Sequence, residues 1–111
     1  MSAAPSIQRA GERHAIDWLK AEGYSIMKWD TQVTGPSEIE AQSDAKRLLV
    51  HVKTAAYPNY PSKLSEEEEK TFTTRANGVG AQPWEARVQV GANMELVGNV
   101  EWRRILTKST N

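Results

Sequence analysis

The sequence predicts an α/β domain in which a mixed, mainly antiparallel sheet of about five strands packs with two helices. Three observations predict this class. The patterns follow the order helix, three strands, helix, two strands along the chain. Several segments alternate apolar and polar residues, as half-buried strands do. The run Ser-Glu-Glu-Glu at residues 65–68 marks the start of the second helix, because serine is a favoured cap and acids complement the helix N-terminus.

A chain of 111 residues is long enough for one core, and we expect a single domain at residues 6–106 between short tails, 1–5 and 107–111. Fourteen basic residues balance fourteen acidic ones, so no net field attracts nucleic acid or an acidic membrane. The absence of cysteine excludes disulfides and thiolate metal sites. No apolar run reaches the roughly 20 residues of a transmembrane helix, and no signal-peptide pattern opens the sequence. We therefore expect a cytoplasmic protein with no membrane partner.

A first helix is predicted from about residue 7 to 22, with Ser6 as its cap and Gly23 just beyond its end. Glu12 lies on the same side as the apolar stripe of this helix. A carboxylate that faces a core is costly unless it is paired, bound to a metal or wet. Glu12 is therefore either such a partnered acid or a residue at the edge of the stripe whose head bends to water. The stripe contains Ala15, Ile16, Trp18 and Leu19.

Residues 24–29 form a predicted first strand, and a turn-rich connector over residues 30–36 leads into a strand–turn–strand hairpin within residues 37–54. Because side chains alternate across a strand, this hairpin has a polar face and an apolar face. The polar face carries Glu38, Glu40, Gln42, His51 and Lys53, and the apolar face carries Ile39, Ala41, Leu48, Val50 and Val52.

The position of the hairpin turn decides which polar residues are opposite each other. A turn centred between residues 45 and 46 places Glu40 opposite His51, with Cβ atoms roughly 5 Å apart. The same register places Glu38 opposite Lys53. Residues 45 and 46 are not a favoured two-residue turn, so a longer loop is also compatible with the sequence.

A loop over residues 55–63 follows the hairpin, since two prolines interrupt any helix or strand there. Two interpretations of its other side chains stay open. Tyr57, Tyr60 and Lys63 could stack on bases and hold a phosphate. Alternatively, the two tyrosines could pack an ordinary crossover loop onto the domain.

The second helix starts at Ser65, where Glu68 completes a capping box. Arg75 faces either a ligand or water. Alternating segments predict two further strands, at residues 84–90 and 95–105. The residues of the second helix that are predicted to be buried are Phe72, Ala76 and Val79.

Acids and a lysine on adjacent strands are the groups that metal-assisted phosphodiester hydrolysis requires. Carboxylates such as that of Glu40 hold a hard divalent cation, which polarises the phosphate and lowers the pKa of its bound water. Lys53 would orient that water or neutralise developing charge. A third acid from a packed helix would complete the site, and Glu12 is the available one.

The sequence also resembles a known superfamily. The segments GERHAIDWLKAEGYSI, GPSEIEAQ and LLVHVKTA are similar to those of PD-(D/E)XK nucleases, and most similar to the small Holliday-junction-resolvase-like members. The resemblance covers roughly residues 11–72. It implies a restriction-endonuclease-like αβββαβ core, with Glu12 as the helical acid, Glu40 as the first sheet ligand and Lys53 as the motif lysine. It also implies that the substrate class is DNA or RNA. We expect DNA, with branched or structured DNA as one option, as the partner and Mg²⁺ or Mn²⁺ as the cofactor.

Two departures from the superfamily pattern bear on activity. Glu40 stands where aspartate is usual, and His51 stands where a second sheet carboxylate belongs. Imidazole is a poor ligand for Mg²⁺ and a better one for Mn²⁺ or Zn²⁺. Three interpretations stay open. Either His51 binds a softer metal, or Glu12 or Glu38 replaces the missing acid, or the fold persists without catalysis.

Two functions are compatible with these residues. The first is a metal-dependent nuclease or a degenerate nuclease-like domain, in which Lys53 positions water beside a metal held by Glu12, Glu40 and His51. The second is a non-catalytic nucleic-acid-binding or protein-assembly module that keeps the scaffold, and a small-molecule site is a third option. Because a short chain has little surface for gripping a duplex, we expect a homodimer or a partner protein. The residues predicted to bind substrate are Glu38, Tyr57, Tyr60, Lys63 and Arg75.

Overall fold

The computed structural model describes residues 4–29 and 38–106, with side chains from Ile7 onward. It confirms the predicted α/β class and the predicted order of elements. The connector at residues 30–36 and the tail from residue 107 lie outside the described residues. Neither described helix combines the length and the apolar character needed to cross a membrane. The elements are α1 (Ala4–Ala21), β1 (Ser25–Trp29), β2 (Glu38–Gln42), β3 (Arg47–Ala56), α2 (Glu66–Gly78), β4 (Gln82–Val90) and β5 (Leu96–Arg104).

The strands form one mixed sheet in the order β1-β2-β3-β4-β5. Three neighbouring pairs are antiparallel, whereas β3 and β4 run parallel. A parallel pair cannot be joined by a tight turn, so the chain passes through α2 before it returns to the start of β4. As a result, α2 packs on one face of the sheet. α1 packs on the other face.

α1 covers the apolar face that the hairpin pattern predicts. The helix starts upstream of Ser6, which therefore lies inside it and is not its cap. It ends as predicted, because Gly23 has a φ of 96° and the N–H of Tyr24 returns to the Leu19 carbonyl oxygen at 3.0 Å. Trp18, predicted to face inward, is 40% exposed. The buried residues on this side are Ala15, Ile16, Leu19, Ile39, Ala41, Leu48, Val50, Val52, Ala86, Val88, Val90 and Val100.

α2 covers the opposite face with a smaller apolar cluster. Ser65 and Glu68 form the predicted capping box, in which each backbone N–H donates to the other residue's side chain, at 2.8 Å and 3.1 Å. Phe72 and Ala76 are buried as predicted, whereas Val79 is exposed because α2 ends at residue 78. The cluster consists of Leu49, Leu64, Phe72, Ala76, Ala81 and Ile105.

The hairpin of β2 and β3 has the predicted faces but a different register. Glu38 lies opposite His51, and Glu40 lies opposite Leu49. The predicted pairs of Glu40 with His51 and of Glu38 with Lys53 are therefore wrong. The slip is two residues, and an even slip leaves each side chain on its predicted face.

Ser43 sets this register by closing the turn. Its Oγ accepts hydrogen bonds from the backbone N–H groups of Ala45 and Lys46, at 3.3 Å and 3.1 Å. Its own N–H donates to the Lys46 carbonyl oxygen at 2.8 Å. A serine hydroxyl offers backbone donors such a local partner, which favours turns. The turn is therefore centred one residue earlier than the sequence pattern suggested.

α1 lies close to β3 at Gly11. A Cβ atom at this position would lie 1.8 Å from Thr54 Oγ1 and 2.8 Å from Thr54 Cβ. A new side-chain rotamer of Thr54 cannot relieve the second contact, because Cβ does not move with χ1. The approach of the helix to the strand therefore requires glycine here.

Gly11→Ala is expected to lower the free energy of unfolding by about 1–3 kcal/mol, the usual cost of overpacking. Chemical denaturation followed by tryptophan fluorescence measures this difference. Gly78→Ala is the matched control, because a Cβ atom at residue 78 meets nothing within 4 Å. Equal stability of Gly11→Ala and wild type would mean that α1 can move away from β3 without cost.

Candidate functional site

A row of polar residues crosses the α2 face of the sheet. Glu38 on β2, His51 on β3, Glu85 on β4 and Arg103 on β5 are successive partners in the strand registers. Paired residues on neighbouring strands point to the same face. This polar row therefore places an acid, an imidazole, an acid and a guanidinium side by side beneath α2.

Glu85 is the buried centre of an ionic network. Its fully buried carboxylate accepts hydrogen bonds from the Leu64 N–H and from Arg103 Nη2, both at 2.8 Å. Arg87 Nε lies 3.1 Å from its other oxygen, and Arg103 also pairs with Glu69 of α2 at 2.7 Å. Burial alone would raise the pKa of Glu85, but the hydrogen bonds and the two guanidinium charges hold it below its usual range. The network ties the start of α2 to the sheet.

Glu38 is held by Arg75 of α2. Arg75 Nε donates to Glu38 Oε2 at 2.7 Å, and Arg75 Nη2 contacts the same oxygen. The side chain of Arg75 is 39% exposed, and that of Glu38 is 16% exposed. Both residues were predicted to bind substrate, yet in the structure each binds the other. The charge-assisted pair neutralises the acid at this end of the polar row.

His51 packs between the sheet and α2. Its ring meets Phe72 edge-on, with the ring centroids 5.5 Å apart. Its Nδ1 is buried and has no hydrogen-bond partner in the described part of the chain. Burial lowers the pKa of His51, opposed by the charge of Glu38 and assisted by that of Lys53. The imidazole is therefore neutral at pH 7 and above.

Lys53 lies next to the polar row, two residues beyond His51 on β3. Its Nζ donates to the Lys63 carbonyl oxygen at 3.4 Å. Within residues 4–29 and 38–106, no carboxylate forms an ion pair with it. The α2 face thus carries an ammonium group with no described carboxylate within ion-pair distance. Glu68 is a nearby acid, whose pKa is lowered by its capping-box hydrogen bonds and also by the charge of Lys53.

Glu12 lies on the opposite side of the sheet from Lys53. Its carboxylate is 5% exposed and accepts hydrogen bonds from Trp29 Nε1 at 2.8 Å and from Gln8 Nε2 at 3.1 Å. Gln8 also donates to the Val52 carbonyl oxygen at 3.0 Å. The side chain of Val52 is one of the buried residues on the α1 side of the sheet, so the next side chain, that of Lys53, points to the α2 side. Glu12 is a partnered buried acid, and the predicted convergence with the polar residues of β3 does not occur.

The residues predicted to hold a divalent metal do not fit one. Glu12 is on the α1 side, and Glu40 lies opposite Leu49 with its carboxylate 3.6 Å from Arg47. In the two described ranges, no group of three or more histidine or acidic side chains could hold a metal ion. Mg²⁺ and Mn²⁺ require several convergent, largely oxygen ligands. Glu12, Glu40 and His51 therefore do not form the Mg²⁺ or Mn²⁺ centre that the resemblance implies.

The loop after β3 exposes its tyrosines. Tyr57 is 66% exposed, so the interpretation in which it packs the loop down is wrong, whereas Tyr60 is 44% exposed and does contact the sheet. Pro61 is the buried residue of this loop. The guanidinium of Arg87 lies 5.5 Å from the centroid of the Tyr60 ring. Lys63, at the end of the loop, is exposed, and its carbonyl oxygen accepts the hydrogen bond from Lys53 Nζ.

Two hollows on the α2 face meet at Arg75. The one beside His51 has a volume of ≈ 440 Å³, and the one beside Glu38 has a volume of ≈ 410 Å³. Solvent therefore reaches the polar row from both sides of Arg75. The first is lined by His51, Leu64, Glu67, Glu68, Thr71, Phe72 and Arg75, and the second by Lys28, Glu38, Glu40, Leu49, Arg75, Gly78 and Val79.

Sequence reasoning missed two members of the polar row, Glu85 and Arg103. The sequence did contain a signal for Glu85, because Glu85 and Arg87 alternate with apolar residues on an inner strand. Opposite charges at alternate positions of such a strand are typical of a paired network. Arg103 gave no such signal, since it is one of two adjacent arginines near the end of the last strand.

Glu85→Gln is expected to lower the free energy of unfolding by about 1–3 kcal/mol at neutral pH, because it removes the buried charge that pairs with the partly exposed guanidinium groups of Arg87 and Arg103. The folded-state pKa of Glu85 lies below that of the unfolded chain. Its stabilisation is therefore present above the ordinary glutamate pKa and is lost as the pH falls through the folded pKa. Urea denaturation between pH 7 and pH 3 measures this loss. Glu22→Gln, at an exposed position, is the control. The prediction would be contradicted by a difference in unfolding free energy between wild type and Glu85→Gln that stays constant with pH.

Wild-type protein is expected to show no saturable Mn²⁺ binding by calorimetry, because Arg75 occupies the carboxylate of Glu38. Arg75→Ala releases that carboxylate and is expected to increase Mn²⁺ affinity. Arg47→Ala is the matched control, since it removes the arginine beside Glu40 instead. Saturable binding by wild type that is abolished in Glu38→Gln or Glu40→Ala would show that the acids do act as metal ligands.

The fold is similar to that of Hjc, a Holliday junction resolvase from the archaeal hyperthermophile Archaeoglobus fulgidus, with a TM-score of 0.61. The match covers 87% of this chain and 76% of the Hjc chain. The sequences are 20% identical, so the likeness concerns the fold, which agrees with the restriction-endonuclease-like class predicted above. No curated protein matches this chain. Residues 7–105 match a family described as a domain of unknown function, DUF8840, and the chain therefore belongs to that family.

Proposed function

We propose that this protein is a nuclease-fold domain that binds the phosphate backbone of DNA on its α2 face without metal-dependent hydrolysis. The phosphate patch, as we define it, consists of Lys53, Lys63 and Arg75. The observation that carries the proposal is the ammonium of Lys53, which lies beside the polar row without a described carboxylate partner. Lysine and arginine supply most phosphate contacts in protein–DNA complexes.

The geometry of the patch supports phosphate binding. Lys53 Nζ has three N–H donors, and one points to the Lys63 carbonyl oxygen. Arg75 uses Nε and Nη2 for Glu38, so this pair leaves its Nη1 group unused. Glu68, a nearby acid, keeps its negative charge in the capping box of α2. Besides burial, the charges of Lys53 and Arg75 both lower the pKa of His51, so both cations would attract a phosphate beside His51.

The same geometry argues against metal-dependent cleavage. His51 occupies a position where the resembled nucleases carry a carboxylate, and Glu38 is neutralised by Arg75. Metal-assisted hydrolysis needs carboxylates that are free to hold the ion that activates water. The fold likeness to Hjc supports a nucleic-acid ligand, and the residues of the polar row favour binding over hydrolysis.

Lys53→Ala is expected to weaken DNA binding and to reduce the slope of log affinity against log salt by about 1, the value for one lost phosphate contact. Fluorescence anisotropy with labelled duplex and four-way junction DNA, at several salt concentrations, measures both quantities. Lys20→Ala is the control, because Lys20 is an exposed lysine on α1. Wild-type protein that binds no DNA, or Lys53→Ala that binds with an unchanged slope, would overturn the proposal.

Branched, nicked and single-stranded DNA are expected to remain intact with Mg²⁺ or Mn²⁺. Cleavage by wild type that is lost in Lys53→Ala would show instead a metal-dependent nuclease. The homodimer expected from the short chain and the branched substrate stay predictions. The stoichiometry of the junction complex measures the first, and competition between junction and duplex DNA measures the second.

A further inference from the structure

We infer that the loop of residues 57–63 is a platform for unpaired nucleobases, so that the domain prefers single-stranded nucleic acid to duplex. This inference rests on the proposed function and specifies its ligand. A stacking platform combines exposed aromatic rings with nearby cations that follow the backbone. Tyr57 and Tyr60 supply the rings, and Lys53 and Lys63 of the phosphate patch supply cations on the same continuous segment of chain.

The first observation is the exposure of both rings on a loop that the sheet holds in place. The Tyr57 N–H donates to the Val90 carbonyl oxygen at 2.9 Å, and Gln89 Nε2 donates to the Asn59 carbonyl oxygen at 2.8 Å. The loop is therefore fastened to β4. Tyr57 remains 66% exposed, and Tyr60 remains 44% exposed although its ring contacts Arg87, so neither ring is buried in the core.

The second observation is the support under the Tyr60 ring. The Arg87 guanidinium covers the ring with a distance of 5.5 Å to the centroid, and Arg87 in turn pairs with Glu101 at 3.2 Å. Burial and a hydrogen bond with Glu101 raise the pKa of Tyr60, so its hydroxyl stays protonated. A cation on one face of a ring fixes the ring and leaves the exposed remainder for stacking.

The third observation is a hollow of ≈ 460 Å³ beside Tyr57. Its walls are mainly apolar, and it lies between the end of β3 and the β4–β5 turn. An unpaired base could enter it edge-on while it contacts the Tyr57 ring, whereas a paired base cannot leave its stack without cost. The hollow is lined by Ala56, Tyr57, Gly91, Ala92, Met94, Glu95 and Val97.

The fourth observation is continuity with the phosphate patch. Lys63 closes the loop, and its carbonyl group accepts the hydrogen bond of Lys53. Bases on Tyr57 and Tyr60 would therefore be connected to phosphates that reach Lys63 and Lys53. Aromatic rings alone would suit a protein partner as well, but rings on a segment that ends at an exposed lysine, Lys63, favour a polyanion that carries flat bases.

The test compares a labelled oligothymidylate with a blunt duplex of equal length by fluorescence anisotropy. Tyr57→Ala and Tyr60→Ala are each expected to lower affinity for the single strand by about 5- to 150-fold, the range that stacking gives per base. Their duplex affinity is expected to stay unchanged. Tyr57→Phe and Tyr60→Phe are expected to bind like wild type, because stacking uses the ring.

Met27→Ala is the matched control, since it removes an exposed apolar side chain from β1, far along the sheet from this loop. Circular dichroism melting confirms that each variant folds. If both alanine variants bind the single strand like wild type while Lys53→Ala weakens binding, the platform is excluded and the proposed function stands. Equal losses on duplex, or equal losses in the phenylalanine variants, also exclude the platform. If wild type binds neither ligand, both proposals fail.

Discussion

The alternation of side chains along β3 is the constraint on which the rest of the structure depends. Val50 and Val52 point to α1, whereas His51 and Lys53 point to α2. A strand cannot send neighbouring side chains to the same face. The sheet therefore has one side that suits the apolar stripe of α1 and another that must provide partners for charged groups. α2 supplies those partners through Arg75 and the acids of its first turns.

The charge pairs beneath α2 also limit which side chains of the site are available to bind a ligand. Glu85 is fully buried and would be costly without the guanidinium groups of Arg87 and Arg103. Glu38 is paired with Arg75 for the same reason. The pairs that make the polar row compatible with folding also engage carboxylates that a metal would need. Among the described residues of this face, Lys53 and Lys28 have no carboxylate within ion-pair distance, and Lys53 is the one beside the loop that follows β3.

Local signals predicted much of the fold and part of the site. The order of elements, the two faces of the hairpin and the capping box at Ser65 depend on neighbours in sequence, and all agree with the structure. The interpretation of Glu12 as a partnered buried acid is confirmed, but its predicted convergence with Lys53 is wrong, although the sequence contained the answer. A residue within the apolar stripe of a helix faces the apolar side of the sheet, whereas Lys53 belongs to the polar face of the hairpin. The exposure of Tyr57 could not be predicted, because a proline-rich loop has no periodicity that distinguishes a packed ring from an exposed one.

The sequence by itself determined the α/β class and which side chains of β3 share a face, because helix and strand periodicities are properties of the local backbone. The hairpin register is also local, because Ser43 closes the turn with Ala45 and Lys46 and thereby places Glu38, and not Glu40, opposite His51. Tertiary structure alone decided which distant residues meet on those faces. The return of the chain through α2 then brought Arg75 onto Glu38, a contact between residues 37 positions apart. Such contacts depend on how whole elements pack, and no local pattern encodes them.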